Sequence, residues 1–151
     1  MNLITISNDR LTVILDGCGA VLHSIRKDGV EYLWQGDPKY WARRDANLFP
    51  YVGRLTDGQY RLEGKTYSMP IHGFCIGRDF AVTEQSPDAV CFTLTDSAET
   101  YAMYPYRFAF HVRYRLDGNR IAKTCQVENR DSRQMYFGFG GHPGFNVPLN
   151  G

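Results

Sequence analysis

No stretch of this sequence is apolar for long enough to span a bilayer, and Met1 to Arg10 lacks the basic start and apolar run of an export signal. The expectation is a soluble, cytoplasmic protein with no membrane partner. Excess charge is equally scarce. A net charge of +1 provides no basic field, so nucleic acid is not an expected partner. Cys18, Cys75, Cys91 and Cys125 are widely spaced and form no Cys-x-x-Cys pair, which argues against a disulfide framework or a zinc ribbon and for reduced thiols. Nucleotide fingerprints are missing too. Gly17-Cys18-Gly19 has no helix pattern after it, no Gly-Lys-Ser/Thr occurs, and Gly140 to Gly144 holds no serine for a nucleophile elbow. Helical periodicity is confined to Ser97–Tyr104, which stops at Pro105.

What remains is alternation broken by turn residues. Leu11 to Leu15 and Ala20 to Arg26 read as strands, and Asp28-Gly29 turns the chain into a third at Val30 to Trp34. Gly36 to Asp45, with adjacent Tyr40 and Trp41, has no clear period and reads as a functional loop or a short helical turn. Two hairpins follow, one across Glu63-Gly64 and one joining Phe80–Glu84 to Ala89–Thr95. In the next strand Tyr106, Phe108, Phe110, Val112, Tyr114 and Leu116 share one face, expected to be core, while Arg107, His111, Arg113 and Arg115 share the other. Arg120 to Asn129 pairs with it across Asp117-Gly118-Asn119. Short strands, Gly, Pro, Asp and Asn turns and almost no helix indicate an all-β fold, an antiparallel β-sandwich, with residues 1–151 in a single domain.

Three residues stand in settings that suit a site. His142 lies in Phe137-Gly138-Phe139-Gly140-Gly141-His142-Pro143-Gly144-Phe145-Asn146, where four glycines strip bulk from around one imidazole. Such a segment marks either close approach of a ligand or a bulge whose histidine bonds to a neighbouring carbonyl. His72 has a proline two residues before it and a glycine directly after it. His72-x-x-Cys75 has no second pair at ligand spacing, so no metal is expected. Arg54, between Gly53 and the Thr56-Asp57-Gly58 turn, needs an acceptor, which is either a protein oxygen or a ligand oxygen.

Several segments together resemble the aldose 1-epimerase family, also called galactose mutarotase-like. They are Leu48-Phe49-Pro50-Tyr51-Val52-Gly53-Arg54-Leu55, Asp57-Gly58-Gln59-Tyr60, Gly64 to Pro70, Ile71-His72-Gly73-Phe74, Tyr104-Pro105-Tyr106-Arg107-Phe108, Val127-Glu128-Asn129 and Gly140-Gly141-His142-Pro143-Gly144-Phe145-Asn146. The resemblance implies a large antiparallel sandwich with a sugar in an open cleft on one sheet. It also implies interconversion of the α and β anomers of a free or phosphorylated aldose, with no cofactor. His142 matches the general acid, His72 a histidine of the cleft and Arg54 an arginine that binds sugar oxygens. Phe74 and Asn146 join them as expected substrate contacts, with Phe49 or Trp41 as further candidates to stack on a pyranose. Where many relatives carry a basic residue two positions after the Phe of His-Gly-Phe, this chain has Ile76, and Arg78 is the candidate replacement. Arg43, Arg44 and Arg78 are the candidates for a phosphate.

The chemistry suits these residue types. Opening a hemiacetal removes the anomeric hydroxyl proton while the ring oxygen receives one, and rotation of the aldehyde followed by the reverse steps gives the other anomer. A histidine with an unperturbed pKa of about 6.5 can hold and retake such a proton. A different class of function fits the same fold, namely a carbohydrate-binding or sensory domain that keeps the cleft without the chemistry. A third is a purely structural β-domain whose histidines bond to the backbone.

Asn150-Gly151 is a preferred hairpin centre with no strand after it, so the chain is expected to be cut within a hairpin. The family's general base is a glutamate from later in a longer sandwich. Asp45, Asp57, Asp79 and Glu99 read as turn, loop or surface residues. The expected partners of open strand edges are a second copy, forming a homodimer, or the missing C-terminal segment.

Overall fold

The computed structural model describes residues 2–147, and the turn expected at Asn150-Gly151 lies outside them. Among the described residues the strands are β1 (Leu3–Ser7), β2 (Thr12–Asp16), β3 (Val21–Lys27), β4 (Val30–Glu31), β5 (Asn47–Leu48), β6 (Gln59–Leu62), β7 (Lys65–Ser68), β8 (Ala81–Ser86), β9 (Ala89–Thr95), β10 (Phe108–Asp117), β11 (Arg120–Asn129) and β12 (Gly140–Gly141). One short helix, α1 (Ala98–Met103), lies between β9 and β10. The strands form two four-stranded sheets, in the orders β1-β2-β3-β4 and β11-β10-β9-β8, and two pairs, β12-β5 and β6-β7. All these pairings are antiparallel. No described helix is long and apolar enough to cross a membrane.

Local chemistry places the turns where the residues demand them. Asp28-Gly29 and Glu63-Gly64 both take positive φ at both positions, the pattern of the two-residue turn whose twist matches the flanking strands. Ser97 caps α1: its hydroxyl accepts from the Thr100 N–H while the Thr100 hydroxyl accepts from the Ser97 N–H. The strand expected over Val30–Trp34 is shorter, because beyond Glu31 the chain passes from β3 to a second partner: Tyr32 still donates to Ile25 of β3, but Leu33 bridges Phe145 and Trp34 donates to Gly144. A strand not anticipated, β1, buries Ile4 and Ile6 between exposed Leu3, Thr5 and Ser7; an apolar Leu3 on the outer face obscures the alternation.

The apolar face of β10 is core as expected. Phe108, Phe110, Val112, Tyr114 and Leu116 are buried in one cluster with Ile6, Val13 and Leu15 of the other sheet, which gives the two sheets a shared interior. Fully buried Phe49 lies at its centre, stacked on Phe110 at 4.7 Å and set edgewise to Phe74 and Tyr104 at 6.0 Å. Burial of such a ring stabilises by about 2–3 kcal/mol. The opposite face of β10 is a layer of paired charges rather than a bare basic row. Arg113 meets Glu84, His111, half-buried, lies between Thr93 and Glu128, and Arg107, just before the strand, meets Asp96.

Candidate active site

Residues 44–50 form the spine of the site. On one side the glycine-rich segment runs antiparallel to them: Gly138 N–H donates to Pro50, Gly140 and Gly141 pair with Leu48 and Asn47, His142 N–H donates to Ala46, and Gly144 N–H donates to Arg44. On the other side Phe49 and Gly73 form a parallel bridge, and Phe74 N–H donates to Phe49. His142 and His72, seventy positions apart in sequence, therefore flank one extended segment. Their ring centroids lie 6.2 Å apart.

Gly73 makes this approach possible. Its φ is +79°, and a Cβ there would lie 2.0 Å from the Phe49 carbonyl oxygen, so a side chain would drive the two segments apart. His72 is itself in the left-handed region, at φ 66°. The backbone N–H of Gly53 donates to its Nδ1 at 3.1 Å. An N–H can only donate, so Nδ1 carries no proton and the ring is the Nε2–H tautomer, a hydrogen-bond donor at its free end. The imidazole of His142 has no hydrogen-bond partner among the described residues and is exposed, with the Trp41 ring tilted against it at 5.0 Å. Arg54 directly follows the Gly53 clasp, is exposed, and makes no hydrogen bond or ion pair to any described residue.

Two expected sugar contacts have other work. Phe74 is only 4% exposed and packs edge-on to Phe49, so it backs the cleft instead of presenting a face to a ligand; Phe49, fully buried, is likewise core. Asn146 donates through its side-chain amide to the carbonyls of Glu31 and Leu33, while its N–H bonds to Tyr32. It clips the glycine-rich segment to β4. Arg78 is committed as well: both terminal nitrogens reach Glu99 at 2.8 and 2.9 Å and the guanidinium lies over Phe74 at 5.7 Å. That pairing holds Arg78 above its ordinary pKa and Glu99 below its own. Arg44 donates to His23 and Gln35. Of the three arginines considered for phosphate, Arg43 alone is without a partner among the described residues. It lines a cleft of about 670 Å³ together with His72, Ile76 and Glu99.

Three features were not legible in the sequence. The Gly53 clasp is a backbone contact, invisible in side-chain patterns. Asp45, read as a loop or surface residue, has a side chain with no exposure. Its Oδ2 accepts from Leu22 N–H and faces Lys123 at 3.6 Å, while Oδ1 accepts from Ala46 N–H. Trp34, placed in a strand by its neighbours, is half-buried and joins half-buried Trp41 and exposed Tyr40 in one aromatic group. The adjacent aromatics at 40 and 41 were the available signal for it.

The family model of aldose 1-epimerase matches residues 2–150. The chromosomal protein LacX of Lactococcus lactis subsp. lactis is 37% identical over 153 residues, covering 97% of this chain and 51% of that protein. The X-ray structure of a galactose mutarotase related enzyme from Lactobacillus acidophilus superposes with a TM-score of 0.95 at 38% identity, over 97% of this chain and 49% of that one. A galactose mutarotase-like protein from Lactobacillus casei gives a TM-score of 0.93 at 39% identity, over 96% and 50%. The chain spans about half the length of the curated LacX relatives it matches.

Proposed function

Because this chain belongs to the aldose 1-epimerase family, we propose that it carries the acid side of a site that interconverts the anomers of an aldose. The observation that carries this reading is the meeting of two histidines at 6.2 Å with different bonding, His72 fixed as a donor by Gly53 and His142 unengaged on a glycine-rich strand. In this reading His142 protonates the ring oxygen as the C1–O5 bond opens, and retakes the proton when the ring recloses. His72, through Nε2–H, and Arg54, through its free fork, orient sugar hydroxyls. Trp41 forms the apolar wall beside His142.

The carboxylates nearest these clefts are engaged, Glu99 with Arg78 and Asp45 with Lys123 and two backbone N–H groups. In this reading the base that takes the anomeric hydroxyl proton is the glutamate that the resemblance to the family implies, and no described carboxylate is given that role. The test is exchange NMR or polarimetry on common hexoses and hexose phosphates, with the full-length protein beside its His142→Ala variant. Catalysed equilibration that falls by about 10² or more in the variant supports the reading. Saturable binding without any rate effect would instead select a carbohydrate-binding domain.

A further inference from the structure

No hydrogen bond from a described residue sets the angle of the His142 ring. The torsion that turns an imidazole about its Cβ is broad and two-fold, and the glycines at 140, 141 and 144 give the segment no side chains to brace it. A proton donor must nevertheless keep one nitrogen on the atom it serves. We propose that Trp34 and Trp41 are positioning residues for this acid: the Trp41 indole fixes the His142 ring, and Trp34 holds Trp41 in place. The inference rests on the reading of His142 given above.

The Trp41 ring centroid lies 5.0 Å from that of His142 with the planes tilted by 44°, inside the range of about 4.5–7 Å over which aromatic rings attract. Trp41 is itself held at three points. Its N–H donates to the Asp37 carbonyl at 2.9 Å, its carbonyl accepts the Trp34 indole N–H at 2.8 Å, and its six-membered ring rests on Gly144, where an added Cβ would lie 3.0 Å from Cζ3. Trp34 is anchored to the same glycine. Its N–H donates to the Gly144 carbonyl at 2.9 Å, and its Cβ would lie 3.1 Å from the added atom. The Gly144 N–H closes the frame on the Arg44 carbonyl at 2.8 Å.

The acid and the ring that braces it therefore stand on one hydrogen-bonded backbone frame, with Gly144 two residues beyond His142. Both tryptophans are half-buried, so the frame is packed as well as bonded. A misplacement of about 1 Å can cost about 10² in rate, so a brace that acts through another side chain still registers in kcat.

The experiment follows hexose anomerisation by exchange NMR in the full-length protein and in Trp41→Leu, Trp41→Phe, Trp34→Phe and Gly144→Ala. Leucine keeps apolar volume without a ring, phenylalanine at 41 restores a ring, and phenylalanine at 34 removes the bond to the Trp41 carbonyl. Gly144 lies outside the left-handed region, so alanine there adds crowding against Trp41 without backbone strain. Trp41→Leu should lower kcat about tenfold or more, beyond any rise in KM, with Trp41→Phe recovering part of the loss. Trp34→Phe and Gly144→Ala should lower kcat in the same direction, and they carry the comparison if Trp41→Leu does not fold. The carbon-bound ring protons of His142, displaced by the indole ring current, should move toward their free-peptide positions in Trp41→Leu. A rise in KM at unchanged kcat would overturn the proposal and leave Trp41 a sugar contact. So would His142 ring resonances that stay in place. Wild-type protein without anomerisation would remove the catalytic reading and this role together, whereas anomerisation lost in His142→Ala but kept in Trp41→Leu would overturn the positioning role alone.

Discussion

The backbone N–H of Gly53 donates to Nδ1 of His72, and the N–H of His72 returns a 2.8 Å bond to the Gly53 carbonyl. This reciprocal clasp fixes the ring, its tautomer and a left-handed backbone in one unit. Long-range proton–nitrogen NMR should therefore find the His72 proton on Nε2. His72→Gln, which keeps a donor near the ε position, should retain more activity than His72→Ala. A proton on Nδ1, or equal losses in the two variants, would remove His72 from the donor role.

Arg54 spends none of its five donors on a described residue, so its removal costs the fold little. Arg54→Ala should change unfolding free energy by no more than about 0.5 kcal/mol. Sugar affinity should fall about tenfold or more, as expected for losing a charge-assisted hydrogen bond. Urea unfolding and a sugar titration on the same sample separate the two effects, and a stability loss with unchanged affinity would make Arg54 structural.

Gly73 and Gly77 provide a matched pair. Both have positive φ, but a Cβ at Gly77 meets nothing within 4 Å whereas one at Gly73 meets the Phe49 carbonyl at 2.0 Å. Gly77→Ala should cost about 1–2 kcal/mol from backbone strain alone. Gly73→Ala should exceed about 3 kcal/mol, since the central segment must move. Chemical denaturation of both variants checks the difference.

Lys123 lies 3.6 Å from an Asp45 carboxylate that is wholly buried. Lys123→Met leaves that charge without its cation and should destabilise by about 3 kcal/mol, part of the usual penalty being offset by two backbone donors. The double variant Asp45→Asn with Lys123→Met removes the unpaired charge but turns an amide NH2 toward the N–H of Leu22 or Ala46, so it should recover only part of the loss. If the single variant is as stable as wild type, the pair contributes nothing.

Glu31 gives the fold an acid-sensitive joint. Burial opposes its charge, but hydrogen bonds from Ser24, from the backbone of Ile25 and Leu33, and from Arg26 outweigh that and hold its pKa below the ordinary 4.5. A carboxyl with a depressed folded pKa contributes stability that is complete above its unfolded value and is lost as pH falls through the folded one. Glu31→Gln should flatten the decline in stability between about pH 5 and about pH 3, read by urea unfolding across that range. A decline of unchanged slope would assign it to other carboxylates.

The sequence by itself determined the sandwich class, because period-2 alternation and paired turn residues are local: Asp28-Gly29 and Glu63-Gly64 turn with positive φ, Ser97 caps its helix, and the Phe108 to Leu116 face is buried. It also singled out His72, His142 and Arg54, since glycine and proline beside a polar side chain leave a visible trace. Tertiary structure decided which of the remaining candidates are free to act. Phe74 and Asn146 share the histidines' motifs, but one fills the core and the other clips two strands, and such commitments depend on segments far away in sequence. Likewise Arg78 and Arg54 look alike as letters. Only the arrival of Glu99, brought alongside by α1, engages the first guanidinium, while no described residue engages the second.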